Sequence, residues 1–453
     1  MKRLYSASMR FFDCFGGYFA LRNLPYLQKL EYSHTRLRRF QRGMLKALME
    51  HAYNNVPYYH DIFRKLSLNP HYDDPYALLA RLPILTKDIV KQQFHRLISP
   101  YPLRFLTFQT SGSSGVPLRI LKDYPCEGLG QASYYQGLSW YSYDLGDPIV
   151  NLWGRRPVLT RRQEIGRVKN RLTNIFELNA HSMNDATIRD YIKKIFKIKP
   201  KVLYGYVSSI ELVCNYMKEH GLRSYIPIVV TTAETLVGFQ RNLISSTLAR
   251  EVYDQYGCSE ITSVAFECPS HTCLHVMPKV ILEIVGEQDQ KCAAGESGRI
   301  VLTDLTNYKM PFLRYEVGDI ATSVEDVDSC ICGKKLESIK NIEGRISDII
   351  VGPNGNRVHG EFFSALFESS GFAEVHGLKQ FQVIQKTTDS LLIRLNISIT
   401  PTDKTLAYLD NLIKEHLGSV EIHYEFLSDI PCQSTGKQSS AISEVGRSAF
   451  ART

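Results

Sequence analysis

Hydrophobic positions recur at helical spacing over residues 40–55, where Met44, Leu45, Leu48, Met49 and Ala52 fall on one side and Arg42, Lys46 and Glu50 on the other. This pattern predicts an amphipathic helix with one face on a core. Asn55-Val56-Pro57 ends it, because a residue before proline is pushed out of the helical region. Leu82 to Asp88 reads as a turn leading into an N-capped helix. The segment 128–140 reads as helix and 148–153 as a buried strand. Short β-rich runs follow at 201–204 and 226–232, separated by a helical pattern at 208–220, with another strand at 251–256. Such alternation predicts parallel strands joined by crossover helices. From 274 to 303 the pattern changes to hairpins, with Gly295 and Gly298 expected in turns. Beyond residue 345, Leu391, Ile393, Leu395 and Ile397 alternate on one strand and Ile422, Tyr424 and Phe426 on another, with an amphipathic helix at 405–417 between them. That is a small α+β unit of about a hundred residues, large enough to fold separately. No internal repeat or low-complexity segment is present.

At 453 residues the chain is long for a single core, so two or more domains are expected. The stretch 11–24 is apolar and aromatic, but Asp13 and Arg22 interrupt it, and it is too short and polar to span a bilayer. It also lacks the small-residue cleavage site of a secretion signal, so a cytoplasmic protein is expected. The net charge of +8 is unevenly placed. Ten lysines and arginines stand in residues 1–50 against Asp13, Glu31 and Glu50, and the remainder is nearly neutral. A nucleic-acid binder with a basic face throughout is therefore not expected. The basic N-terminus suits peripheral contact with an anionic membrane, at the inner surface of the cell, or an acidic partner; a merely solvated helical face is the plainer alternative.

The chemistry begins at Thr110-Ser111-Gly112-Ser113-Ser114-Gly115. Backbone N–H groups and hydroxyls in such a run can wrap a polyphosphate, and its glycines allow close approach, although a flexible linker has the same composition. No Gly-Lys-Ser/Thr follows, so this is not a Walker-type loop. A segment rich in arginine, 155–171, suits phosphate or carboxylate groups or a simple exposed loop. Tyr256-Gly257-Cys258-Ser259-Glu260 follows a strand, where a carboxylate can hold Mg2+ beside a nucleotide and an aromatic ring can stack on a base. Asp319, behind Gly318, suits the two hydroxyls of a ribose. Gly344-Arg345 and Asp348 fall where the second unit begins, and Ser434-Thr435-Gly436 sets Lys437 on a tight turn. Cys268, Cys273, His275, Cys330 and Cys332, with His271 between the first pair, suit a closed tetrahedral Zn2+ site. The expected ligands are Cys268, His275, Cys330 and Cys332, with His271 and Cys273 as alternates and a set of reduced, unmetallated thiols as the rival reading. Cys14, Cys126, Cys214, Cys292 and Cys432 are scattered and read as inert thiols.

Together with Tyr53-Asn54-Asn55-Val56-Pro57-Tyr58-Tyr59, these ordered motifs resemble the adenylate-forming (acyl-CoA synthetase) superfamily. Within it they look most like the phenylacetate-CoA ligase branch, including CapK-like capsule-biosynthesis proteins. The resemblance implies an α/β fold: a large N-terminal domain of β-sheets flanked by helices, 1–344, with a basic helical segment at 1–70, and a small mobile α+β lid, 345–453. It implies that Thr110 to Gly115 hold the ATP phosphates, Tyr256 stacks on adenine, Glu260 takes Mg2+, Asp319 accepts the ribose hydroxyls, and Arg345 contacts ribose or phosphate. Asp348 would be the hinge and Lys437 the catalytic lysine at the α-phosphate. Trp153, Tyr204, Tyr206 and Thr232 are candidates for the acyl pocket. The expected reaction is ATP-dependent activation of a small carboxylic acid as an acyl-adenylate, with transfer to CoA. Transfer to an amine or hydroxyl of a sugar or amino acid, in surface-polysaccharide synthesis, is the alternative, and a catalytically silent assembly component is a second. Two departures bear on the acceptor: Val116-Pro117-Leu118 follows the phosphate loop without a lysine, and Gln438-Ser439-Ser440 follows Lys437.

Overall fold

A computed structural model describes residues 2–16, 19–109, 118–153, 170, 172–180, 183–324, 330–345, 349–354, 356–430 and 441–445. Three helices open the chain: α1 (Lys2–Gly16), α2 (Ala20–Leu30) and α3 (His34–Asn55). α3 starts earlier than the 40–55 pattern predicts, because Ser33 caps it by accepting the Arg36 N–H and Leu37 and Gln41 continue its buried face. Val56 ends it in an extended conformation before Pro57. Short helices α4 (Pro57–Lys65), α5 (Pro75–Arg81) and α6 (Lys87–Gln92) follow, the last capped by Thr86 as expected. β1 (Phe105–Gln109) and β2 (Arg119–Asp123) pair antiparallel. Asp123 then caps α7 (Tyr124–Trp140) through the Cys126 N–H.

The middle of the chain forms the predicted parallel arrangement with more elements than the pattern marks: β3 (Ile149–Trp153), β4 (Ile175–Asn179), α8 (Asp185–Ile198), β5 (Val202–Tyr206), α9 (Val207–Glu219), β6 (Ile226–Thr232), α10 (Gly238–Thr247) and β7 (Ala249–Tyr256). Six antiparallel strands extend it: β8 (Ala265–Glu267), β9 (Leu274–Val276), β10 (Val280–Val285), β11 (Ser297–Asp304), β12 (Tyr315–Ser323) and β13 (Ser338–Arg345). All but the first two strands form one sheet of eleven, in the order β10-β11-β12-β13-β9-β8-β7-β6-β5-β3-β4. Gly295 sits in a turn at φ +81°, but Gly298 does not. It lies in β11, where a Cβ would come within 2.6 Å of both Cys292 Sγ and Val285 O, so close packing rather than a turn requires glycine there.

The remaining described residues build β14 (Ile349–Val351), β15 (Arg357–His359), α11 (Gly360–Ser369), α12 (Phe372–His376), β16 (Gln380–Thr387), β17 (Ser390–Asn396), α13 (Asp403–Leu417), β18 (Glu421–Phe426) and β19 (Ala441–Ser443). A four-stranded sheet in the order β18-β17-β16-β19 packs with these helices around Phe363, Phe367, Leu391, Ile393, Leu395 and Leu409, a core separate from those of residues 45–339. β17 alternates as predicted, whereas Phe426 on the edge strand β18 is exposed. Among the described residues no helix is long and apolar enough to cross a membrane.

One buried ion pair ties the first helices to the sheet. Lys334 Nζ lies 2.9 Å from Glu31 Oε2, with both side chains nearly dry. Glu31 Oε1 also accepts from Gln136 Nε2 at 2.8 Å and Trp140 Nε1 at 2.9 Å, so its lone pairs are well used. Removing one partner strands a charge, so Glu31→Ala is expected to cost about 3–5 kcal/mol in urea unfolding, with Glu31→Leu/Lys334→Met losing much less. A second buried carboxylate behaves differently. Burial pushes Glu211 up to about 7, opposed by the hydrogen bond from Gln240 and assisted by the charge of Glu234. The folded chain therefore keeps a proton that the unfolded chain releases, and this stabilisation is complete below the ordinary glutamate range and lost as pH rises through about 7. Glu211→Gln should gain roughly 1–3 kcal/mol on the unsubstituted protein between pH 5 and pH 8, measured by unfolding at both; a difference independent of pH contradicts the assignment.

Candidate functional site

Strand ends build the site. In the parallel half, β3, β5, β6 and β7 all finish on one edge of the sheet, the edge where open α/β sheets bind ligands. The register pairs Tyr206 with Thr232 and Thr232 with Gln255, so these side chains stand in a row across the strand ends. Trp153 closes the far end, its ring centroid 4.5 Å from that of Tyr206 and 5.9 Å from that of Tyr204. The structure thus brings together the four residues named for an acyl pocket. Gln255, which no sequence motif marks, joins them: its Oε1 accepts from Tyr204 Oη at 2.8 Å and Thr232 Oγ1 at 2.6 Å, and its Nε2 donates to the Tyr256 carbonyl at 2.7 Å. Ala233, just past β6, holds a left-handed φ of +67°, and Glu234 accepts from both the backbone N–H and the hydroxyl of Ser208. Strain of this kind in a non-glycine residue is common where a strand end meets a ligand.

The second part of the site joins β7 to β12. Tyr256 Oη donates to Asp319 Oδ2 at 2.7 Å, and Tyr315 Oη donates to Glu260 Oε1 at the same distance. Burial first, and then the neighbouring carboxylates, raise both phenols far above the usual tyrosine range, so both remain donors. Burial and Glu260 likewise push the Cys258 thiol up and keep it neutral. Gly318, at φ +89°, lets β12 turn just before Asp319. Arg345 is the register partner of Asp319 on β13; its side chain lies outside the described residues. Lys122, fully buried on β2, places its Nζ 3.4 Å from Thr262 Oγ1 and over the Phe108 ring. The hairpin arms that flank 110–117 therefore lean on the loop that carries Glu260. Thr110, Ser111, Gly112, Ser113, Ser114 and Gly115 themselves lie outside the described residues, as do Asp348, Lys437 and nearly all of 155–171. Sequence reasoning missed Tyr315 and Lys122. Tyr315 stands four positions before Asp319, at the head of its strand, and was open to detection.

A cysteine–histidine cluster occupies the other side of this region. The ligand atoms of Cys268, His275, Cys330 and Cys332 all lie within 4.8 Å of one another. Cys268 Sγ and Cys332 Sγ are each 3.2 Å from Cys330 Sγ, and His275 Nε2 is 3.1 Å from Cys332 Sγ. Burial, helped by the Lys334 charge, takes His275 down to about 4, which leaves the neutral imidazole a metal needs. Burial opposes ionisation of Cys330, but bonds from Thr272, Cys332 and Cys268 bring it down to about 7. Three sulfurs and one imidazole on a closed footing are the donor set of structural Zn2+. The alternates are placed differently. His271 turns to Glu267, its Nδ1 2.9 Å from the carboxylate and its ring stacked on Tyr253. Cys273 Sγ stays 4.0 Å from both Cys330 Sγ and His275 Nε2, at the margin of the cluster.

Residues 350–444 match the family model of the CapK C-terminal domain. The chain is 24% identical over 403 residues to protein CapK of Staphylococcus aureus, covering 86% of each chain. It is 27% identical over 250 residues to indoleacetate–lysine synthetase of Pseudomonas savastanoi, covering 54% of this chain and 60% of the relative. To phenylacetate-coenzyme A ligase of Thermus thermophilus it is 22% identical, covering 72% and 74%. Among solved structures, a 2-hydroxyisobutyryl-CoA ligase in its post-adenylation state superposes with a TM-score of 0.71 over 93% of both chains at 16% identity, a likeness of fold. The chain is thus similar to CapK over most of its length, matches the CapK C-terminal domain at 350–444, and has the fold of the adenylate-forming ligases.

Proposed function

We propose that the protein activates a small carboxylic acid with ATP, releasing pyrophosphate, and passes the acyl group from the acyl-adenylate to the thiol of CoA. The observation that carries this reading is the meeting of Asp319 and Glu260, each on a tyrosine hydroxyl, beside the hairpin that flanks 110–117. In this reading the acid lies among Trp153, Tyr204, Tyr206 and Thr232, and its carboxylate attacks the α-phosphorus as pyrophosphate leaves. Asp319 accepts from the ribose hydroxyls, Tyr256 lies against the adenine, and Thr110 to Gly115 donate to the phosphates. Mg2+, when bound, supplies positive charge beside the phosphates, and Glu260 is the residue to hold it. Arg345 adds a guanidinium on the strand next to Asp319, and Lys437 brings a further cation to the α-phosphate from a lid hinged at Asp348. The division at about residue 345 follows the separate core of the C-terminal unit. Attack of the second nucleophile on the acyl carbon then expels AMP. The match to indoleacetate–lysine synthetase favours one second reading, in which an amine accepts the acyl group. Either reaction would serve a cytoplasmic step in surface-polysaccharide synthesis.

Pyrophosphate release over a library of acids tests the proposal: a subset of acids should give release that requires ATP, and added CoA or amines should then identify the acceptor. Silence with every acid would leave the protein an assembly component. Lys437→Ala should lower adenylate formation about 10²–10³-fold, while ATP binding by calorimetry changes little; unimpaired formation removes the lysine from the chemistry. Zn2+ at Cys268, His275, Cys330 and Cys332 should appear as one equivalent by elemental analysis, and Cys330→Ser/Cys332→Ser should lose both the metal and several degrees of thermal stability. Equal metal in the two proteins would end that assignment.

A further inference from the structure

The first two helices each bury one face and leave a chemically unusual one in the open. α1 hides Met9 and Asp13, and α2 hides Leu21, Leu24 and Leu27 against α7 and the loop that follows it. On the outer side of α1, Leu4 is 69% exposed and Phe11, two turns on, is 63% exposed. Arg3 and Arg10 immediately precede them and are also exposed. The outer side of α2 repeats the device at helical spacing: Phe19, Arg22, Tyr26 and Lys29, with Tyr26 52% exposed. A face that only meets water gains nothing from large apolar side chains at these positions, and a face that meets a protein core would not carry arginines among them. Aromatic and aliphatic groups flanked by cations suit the boundary between lipid headgroups and acyl chains, where apolar groups sink and long basic side chains reach phosphate.

Charge supports the same occupant. Between residues 2 and 49 the only carboxylates are Asp13 and Glu31, and both are buried. Asp13 accepts the Ala20 and Leu21 N–H groups at 2.7 and 2.9 Å, and Glu31 is held by Lys334. Lys2, Arg38, Arg42 and Lys46 have carboxylate partners. Arg3, Arg10, Arg22, Lys29, Arg36 and Arg39 form no ion pair among the described residues. Among the described residues the two helices therefore carry uncompensated positive charge and no exposed acid of their own, and the exposed Asp144 beside α1 is paired with Lys2.

We propose that the outer faces of α1 and α2 dock the protein peripherally on a membrane surface rich in anionic lipid. The proposal is independent of the reaction assigned above. Vesicle flotation of the whole protein tests it, with phosphatidylcholine alone against phosphatidylcholine mixed with phosphatidylserine. Flotation should occur with the mixed vesicles only and fall as salt is raised. Arg10→Glu and Arg22→Glu should each weaken it by at least about five-fold, the effect of one basic residue near such a surface. Leu4→Ser/Phe11→Ser should weaken it as well, with thermal stability and pyrophosphate release unchanged because neither side chain belongs to a core or to the site. Equal flotation with both vesicles, none with either, or unchanged flotation of the charge-reversed proteins overturns the proposal. Capture of an acidic protein by these helices in place of vesicles overturns it too.

Discussion

Two tyrosine–carboxylate hydrogen bonds cross between strands that are not neighbours, and the arrangement is reciprocal. Tyr256, at the end of β7, reaches Asp319 on β12, while Tyr315, at the start of β12, reaches Glu260 in the loop after β7. Each side contributes one phenol and one carboxylate. Buried carboxylates brought toward one another are costly unless donors meet them. Here burial keeps both phenols protonated and the Cys258 thiol neutral, so Asp319 and Glu260 each face a permanent hydroxyl donor. A site of this kind is built to receive hydroxyl donors and cations, with Lys122 already buried beside it.

Sheet order explains what fixes the distance across which those bonds form. Only β8, β9 and β13 lie between β7 and β12. Cys268 stands at the end of β8, His275 in β9, and Cys330 and Cys332 a few residues before β13. The cysteine–histidine cluster thus gathers residues from or beside each of the three intervening strands. Loosening it would let Tyr256 and Asp319 drift apart without touching either residue. Lys334 follows directly and carries the support onward to Glu31, Trp140 and Gln136. A site made from converging strand ends is only as exact as the spacing of its strands.

The parallel half was legible in the sequence because buried strands and crossover helices have different periods, and β5, α9, β6 and β7 lie within a few residues of the patterns that predict them. β4 and α8 went unread: β4 begins directly after the arginine-rich segment, whose charge masks a five-residue strand. Gly298 was misread because composition does not distinguish a glycine that turns from one that makes room for a neighbouring strand. At the site, Tyr256, Glu260 and Asp319 stood in motifs, and the four cluster residues stood out by residue type. Gln255 and Lys122 had no such signal. Their importance comes from partners between about 20 and 140 positions away, Thr232 and Tyr204 for one and Thr262 for the other, and only the fold brings those together.

The N-terminal helices illustrate how a sequence feature changes meaning once its acids are located. Counted along the chain, Asp13 and Glu31 dilute a basic segment. In the fold each is consumed internally, Asp13 as the cap that turns α1 into α2 and Glu31 as the anchor of Lys334. What reaches the surface is the cationic remainder. The same two burials that expose this charge also attach α1 and α2 firmly to the sheet, since α2 is fastened to α7 and to the segment just after Cys332. Any surface that binds these helices therefore holds the strand-end site at a fixed attitude to itself rather than on a tether.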